Sequence, residues 1–402
     1  MLAKESLHFI FEIVAACEYK KKLGREIMVN KDRLVKEFIE LVQIDSESGN
    51  EAQIAATLKT KLEALGLDVI EDDTKKTTEL GSGNLIARLK GTLKSADPIL
   101  FSCHLDTVTP GNGVKPVING EMIETDKTTV LGADDKAGIA ALLESIRLLK
   151  EAKIAHGDLE FVFTAGEEIG LKGSIALDKS QLKAKYGFAL DSGGPVGEII
   201  VASPDHAKIK AKIHGVAAHA GVAPEAGISA IEVVAKAITK MPLGRIDEEL
   251  TANIGVIRGG ERTNIVCDLV EIEGEARAIT FAKLEKQMKT MSEALEVAAS
   301  ERGCTVDIEV SYEKIGYKLA VASPVVAMAK KAMTKINCEM LPRATGGGSD
   351  ANIFTINGIP TANLGLGYLD IHSKEEKMPI SELVKVTSLV VAIIEAVANG
   401  AN

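Results

Sequence analysis

The chain has little sulfur chemistry to offer. Its 402 residues include five cysteines, Cys17, Cys103, Cys267, Cys304 and Cys338, widely scattered and without a Cys-x-x-Cys pair. That spacing argues against a disulfide framework and reads as reduced, mostly buried thiols in a cytosolic protein. No apolar run is long enough to cross a bilayer. The charge balance, net −10 with 26% charged residues of mixed sign, lacks the basic excess that nucleic acid or an anionic membrane surface would attract. Internal repeats and low-complexity tracts are missing too. Residues 7–14 have the apolar character of a signal-peptide core, but His8 and Glu12 interrupt it and Glu5 stands where a basic segment belongs, so secretion is not expected. Residues 1–27 read as an extension: Met28 directly precedes a helix start, and Gly24-Arg25-Glu26 is compatible with a purine-rich, ribosome-binding-like stretch in the message. The expectation is that translation starts at Met28.

What is present in quantity is apolar mass, 46% of the chain, enough for two domains with cores of their own. From Asn30 to about Ser203 helix and strand signals alternate. Residues 31–43 and 51–65 are amphipathic, the second closed by Gly66, and residues 136–150 carry Ile139, Leu142, Leu143, Ile146 and Leu149 on one helical face. Short apolar runs over 84–90, 98–105, up to Glu168 and up to Asp191 read as buried strands. This βαβ order predicts a doubly wound, mostly parallel sheet.

The pattern changes after Pro204. Strands at 207–214, 249–258, 266–278 and 306–313, with helices from Pro224 to about Lys240 and over 282–301, give the β-α-β-β-α-β order of a ferredoxin-like α+β unit. From Pro324 the first pattern returns, with a strand expected to run to His372 and a final apolar helix. The expected domains are therefore 28–204 and 316–402 for the large α/β domain, and 205–315 for a small domain inserted into it.

Several of the apolar runs end in acids or histidine. Residues 99–106 end in His104-Leu105-Asp106; residues 159–168 end in Glu167-Glu168; residues 186–194 pass through Asp191; and residues 359–372 end in His372. In open α/β sheets ligands bind beyond the carboxyl ends of the strands. Residues i and i+2 of a strand face the same way, so His104 can bind metal while Asp106 orients it. Asp134-Asp135 open the following helix, where a carboxylate is placed to bridge two cations, and Asp135 reads as a helix N-terminal charge. One of Glu167 and Glu168 can bind metal while the other meets a bound water. A nitrogen and oxygen donor set without thiolate suits zinc, with cobalt or manganese as substitutes. Two such ions would share a water, lower its pKa and polarise a carbonyl. His156 and His206 read as ordinary surface or core histidines.

In sequence order, His104-Leu105-Asp106, Gly132-Ala133-Asp134-Asp135-Lys136-Ala137-Gly138, Gly166-Glu167-Glu168, Ala189-Leu190-Asp191 and the late His372 resemble the co-catalytic dizinc metallopeptidases, the family of peptidase T, carboxypeptidase G, the aminoacylases and succinyl-diaminopimelate desuccinylase. The Ala-Asp-Asp-Lys-Ala-Gly form and the length look most like peptidase T. The resemblance implies that His104, Asp134 and Asp191 bind one metal, and that Asp134, Glu168 and His372 bind the other. It implies Glu167 as general base and Asp106 as the carboxylate behind His104. In the inserted domain, a lid and dimerisation domain by this likeness, it implies substrate contacts from His219, Asn264 and Arg277. The loop Thr345-Gly346-Gly347-Gly348-Ser349-Asp350 departs from the peptidase T pattern, which has Arg directly before Gly-Gly-Thr-Asp; the nearest here is Arg343.

The reading is a cytoplasmic two-metal amidohydrolase, an aminopeptidase acting on short peptides, with an N-acyl amino acid deacylase or a carboxypeptidase of the same family as alternatives. The expected partners are a small peptide substrate and a second copy of the chain through the lid, with no nucleic acid and no membrane. A lid-bearing binding protein without catalysis would need a lost ligand or a lost Glu167, and none is replaced.

Overall fold

The computed structural model describes residues 28–313 and 315–400. The extension expected at 1–27, with Cys17, lies outside the described residues. The four cysteines within them are free.

Strands of uninterrupted apolar sequence form where both faces can be covered. Ile99–His104 and Leu159–Thr164 are buried at every position. They pair in parallel; Ile99–His104 also pairs in parallel with Tyr186–Ser192, which in turn pairs in parallel with Thr361–Gly365. This is the doubly wound core that the sequence pattern predicts. The flanks are antiparallel: Leu85–Leu89 on Leu159–Thr164 with Asp68–Glu71 outside it, and Glu198–Ser203 on Thr361–Gly365. Tyr317–Lys318 and Leu341–Ala344, both paired with Glu198–Ser203, complete a nine-stranded sheet.

Strand alternation sorts the side chains. Ile99, Phe101, Phe161 and Phe163 join the main core beneath the helices Lys31–Val42, Ala133–Glu151, Pro324–Lys335 and Ile380–Asn399. Ile86, Leu100 and Val162 point to the opposite face, against Leu177 and Phe354. Phe101 lies opposite both Phe161 and Phe188 in the register, and its ring stacks on theirs at centroid distances of 6.0 and 5.7 Å. Three strands are thereby locked side by side behind the residues they carry at their ends.

The lid has a core of its own. Its sheet runs in the order Gly244–Asp247, Leu250–Gly259, Leu269–Ala278, Asp205–His214, Thr305–Glu313, antiparallel throughout. Ala230–Ile238 and Phe281–Arg302 cover one face. Apart from the added edge strand Gly244–Asp247, this is the ferredoxin-like order.

Four expected boundaries differ. The helix expected from Pro224 is a short 3₁₀ turn, Pro224–Ala226, and the α-helix starts at Ala230 with the Ser229 side chain accepting from the Glu232 N–H. Reciprocal backbone bonds between Val216 and Ile228, 2.9 Å each, close the intervening chain into a loop. The strand expected from Val266 starts at Leu269. The strand expected to reach Glu168 stops at Thr164, and the one expected to reach His372 stops at Gly365. Glu167, Glu168 and His372 therefore lie in loops beyond the strand ends, whereas His104 and Asp191 lie within their strands. A small sheet of Pro116–Asn119, Met122–Thr125 and Met378–Pro379, not anticipated from sequence, ties the start of the last helix to the segment that leads to Asp134.

Phe101→Ala should lower stability by about 3–5 kcal/mol, the cost of emptying a fully buried aromatic site, while leaving the lid core intact. Urea unfolding followed by circular dichroism measures it.

Candidate metal centre

His104 ends its strand buried, and its ring orientation is set by backbone. Nδ1–H donates to the Asp106 carbonyl oxygen at 2.9 Å, and Nε2 lies 3.0 Å from Asp134 Oδ1 and 3.8 Å from Asp191 Oδ1. With Nδ1 held by backbone, Nε2 is the ring nitrogen that could meet a metal ion. The Asp106 carboxylate, expected behind the ring, stands 3.6 Å from Nδ1 and is engaged elsewhere. It accepts the Ser48 hydroxyl at 2.7 Å and the backbone N–H groups of Glu167 at 3.0 Å and Glu168 at 3.2 Å. Asp106 thus fixes the loop that presents the two glutamates.

Asp134 enters from the opposite side. Gly132 precedes it with φ +71°, a left-handed turn at which a side chain is strained. Regular helix begins only at Lys136, because Asp134 and Asp135 have non-helical backbone angles within Ala133–Glu151. Gly138 lets that helix press on the sheet: a Cβ there would lie 2.7 Å from Cys103 Sγ and 2.9 Å from the Leu190 carbonyl oxygen. Asp135 points away from the cleft, with Oδ2 accepting the His104 N–H at 3.2 Å.

Asp191 lies where the register between Tyr186–Ser192 and Thr361–Gly365 shifts. There the Asn363 side chain takes over ladder bonding, accepting the Asp191 N–H at 3.0 Å and donating to the Asp191 carbonyl at 2.8 Å. The bulge aims the carboxylate inward. His372, exposed in its loop, brings Nε2 to 2.9 Å from Glu168 Oε1 and 3.4 Å from Asp134 Oδ2.

Donor atoms from His104, Asp134 and Asp191 lie within 4.8 Å of one another, and so do those from Asp134, Glu168 and His372 and those from His104, Glu167 and Glu168. The first two triplets share Asp134 and are the sets that the resemblance implies. Their nitrogen and carboxylate donors fit divalent cations. So does the electrostatics. Burial pushes the Glu167 and Asp191 carboxyls well up from the usual carboxylate range, and the neighbouring carboxylates Asp350, Glu168 and Asp134 around Glu167, and Glu167 and Asp134 around Asp191, push the same way. Asp135 and Asp350 each keep a buried oxygen without a hydrogen-bond partner among the described residues. Opposing this are His372, raised to about 10 by hydrogen bonds with Asp134 and Glu168, and the buried Lys136, whose burial lowers it to about 8. The excess is negative, as a cation site requires.

The lid residues stand apart from this cluster. His219 is exposed, with Nδ1 accepting the Gly221 N–H at 3.2 Å, and Asn264 contributes its carbonyl to Ala220 N–H at 3.0 Å. Arg277 donates to Glu275 Oε1 and to the Gly346 carbonyl, both at 3.1 Å, and so touches the glycine-rich loop of the large domain. His156 donates to the Gly157 carbonyl, and His206 sits between Glu275 and Glu313, away from the cluster as expected. Sequence reasoning missed Ser48, Asn363 and Glu376. The first two hold site residues through contacts between segments far apart in the chain, for which no local pattern exists. Glu376 does carry a local signal, four residues after His372.

Residues 100–396 match the model of Peptidase family M20/M25/M40. The uncharacterized protein YqjE of Bacillus subtilis strain 168 is 56% identical over 371 residues, which span 92% of this chain and 100% of that protein. Among solved structures, an aminopeptidase PepT from Bacillus cereus superposes with a TM-score of 0.89 at 54% identity, over 92% of this chain and 100% of its own. A tripeptidase from Staphylococcus aureus superposes with a TM-score of 0.90 at 43% identity, again over 92% and 100% of the two chains. By that match and these relatives, with a fold to suit, the chain belongs to peptidase family M20/M25/M40 as a PepT-like metallopeptidase.

Proposed function

We propose that this chain is a two-metal aminopeptidase that releases the N-terminal residue of short peptides. The observation that carries the reading is the sharing of Asp134 between two ligand triplets, His104–Asp134–Asp191 and Asp134–Glu168–His372. Two zinc ions, with cobalt or manganese as substitutes, suit these donors. When bound they supply Lewis acidity to the scissile carbonyl and to the attacking water.

The chain's own residues do the rest. Glu167 belongs to neither of those triplets, which leaves its carboxylate beside them to serve as the general base. It takes the proton from the attacking water and delivers it to the leaving amine. Asp106, which holds the backbone of Glu167 and Glu168, is a positioning residue for that transfer. His219, Asn264 and Arg277 meet the substrate when the lid closes, and Arg277 leaves the Gly346 carbonyl to pair with a peptide carboxylate. The free cysteines favour the cytoplasm. The outer strands of the lid sheet, Gly244–Asp247 and Thr305–Glu313, leave edges on which a second copy can pair.

Three compounds test the substrate class: a free-amine tripeptide, its N-acetyl form and an N-acetyl amino acid, each incubated with zinc- or cobalt-loaded protein and followed by mass spectrometry. Loss of the first residue from the free-amine tripeptide alone is the expected result; cleavage of the acylated compounds would make the chain a deacylase. Glu167→Ala should retain its metal and lose about two to four decades of turnover, whereas near-normal turnover would remove Glu167 from the role of base. His104→Ala should lose metal and activity together, and stoichiometric metal in that variant would contradict the ligand assignment.

A further inference from the structure

Glu376 is 2% exposed, and its carboxylate accepts three backbone N–H groups. Leu131 and Gly132 donate to Oε2 at 2.8 Å each, and Asp134 donates to Oε1 at 3.1 Å. All three donors lie on the segment that delivers the shared Asp134. The carboxylate itself comes from another part of the chain. Leu369 and Lys377 exchange backbone bonds of 2.9 and 3.0 Å, closing a loop that carries His372 near its tip and Glu376 at its base. Inside the loop the Glu376 N–H donates to the Ser373 carbonyl at 3.1 Å. One buried side chain therefore fastens the His372 loop to the Asp134 segment, through charge-assisted bonds of the stronger kind.

We propose that Glu376 is a positioning residue that sets the spacing between Asp134 and His372, and through it the metal affinity of the site these two share with Glu168. The inference rests on the two-metal reading above. The Asp134–His372 separation, 3.4 Å between Oδ2 and Nε2, is not fixed by any bond between their own backbones. His372 belongs to a loop with φ +58° at its own position, and Asp134 to a non-helical opening of a helix. Neither is held by regular secondary structure. The Glu376 carboxylate supplies the missing connection, and both its oxygens are needed because the donors approach from two sides. An amide in its place presents one oxygen and one NH₂ group. Whichever way it turns, a donor faces a donor, although size and burial are unchanged.

The test compares metal-free wild type with Glu376→Gln, Glu376→Ala and Glu375→Gln. Glu375 is the adjacent exposed acid, paired with Lys127 at 2.6 Å, so its variant controls for loss of a negative charge. Zinc affinity and stoichiometry are read by competition with a chromogenic chelator, geometry by the visible spectrum of the cobalt-loaded protein, and folding by far-ultraviolet circular dichroism. The wild type should take up two ions. Glu376→Gln should keep the native circular dichroism, bind one of the two ions about ten- to a hundredfold more weakly, and change the cobalt spectrum. Glu376→Ala should weaken it at least as much, and Glu375→Gln should match wild type. An unchanged affinity and spectrum in Glu376→Gln overturns the inference alone. Loss of native circular dichroism in Glu376→Gln also overturns it, because Glu376 would then serve folding and not ligand placement. A wild type that binds no metal overturns the two-metal reading and this inference with it.

Discussion

Buried negative charge gathered at one end of a parallel sheet is the constraint on which the rest of this structure depends. Asp134, Glu167, Glu168 and Asp191 converge on two imidazoles, the Tyr368 hydroxyl and one buried lysine, and Asp106, Asp135, Asp350 and Glu376 stand just behind them. Carboxylates at such range repel, and burial removes the water that would screen them. The chain meets that cost in a consistent way. Outer carboxylates are tied to backbone N–H groups: Asp106 to Glu167 and Glu168, Glu376 to Leu131, Gly132 and Asp134, Asp135 to His104. Among the inner ones, Asp134 and Glu168 meet the imidazoles of His104 and His372.

This division explains why the framework is so rigid behind the site and irregular in front of it. The aromatic stack of Phe161, Phe101 and Phe188 locks three strands in register, and Gly138 lets the helix after Asp134 lie against them. Beyond the strand ends, regular pairing would point alternate side chains away from the cleft. A bulge at Asp191, a loop at Glu167–Glu168 and a hairpin-closed loop at His372 break the alternation. Each break carries a polar tie: Asn363 and Asp106 bond to backbone groups of the displaced segment, and Glu376, within the His372 loop, bonds to the backbone of the Asp134 segment.

The lid is built on different terms. It has its own core, an antiparallel sheet with one solvated face, and few polar ties to the large domain, of which Arg277 to the Gly346 carbonyl is one. A separate core permits movement as a body, since domain closure then costs few buried contacts. The residues that the family resemblance assigns to substrate lie in the small domain, whereas the candidate ligand triplets lie in the large one.

Much of this was legible in the linear order of residues. Apolar runs of six to eight residues ending in His104, Asp191 and the glutamate pair mark the strand ends, because a buried strand must be apolar and its exit is where polarity returns. The switch to alternating residues after Pro204 marks the lid for the same kind of reason: one face of its sheet stays wet. Those properties are local, and the sequence by itself determined them, together with the types of donor available. Which carboxylates are gathered into the candidate metal cluster and which ones tie down backbone was decided by tertiary structure alone. Asp106 and Glu376 are acids like the others until the fold brings Glu167, Glu168, Leu131 and Gly132 up to them, and Asn363 is an unremarked polar residue until the bulge opposite it exposes Asp191. Hydrogen-bond partners hundreds of positions apart leave no periodicity in the chain. Only the folded sheet, by fixing which loops meet, turns a list of acids into one candidate metal cluster and its supports.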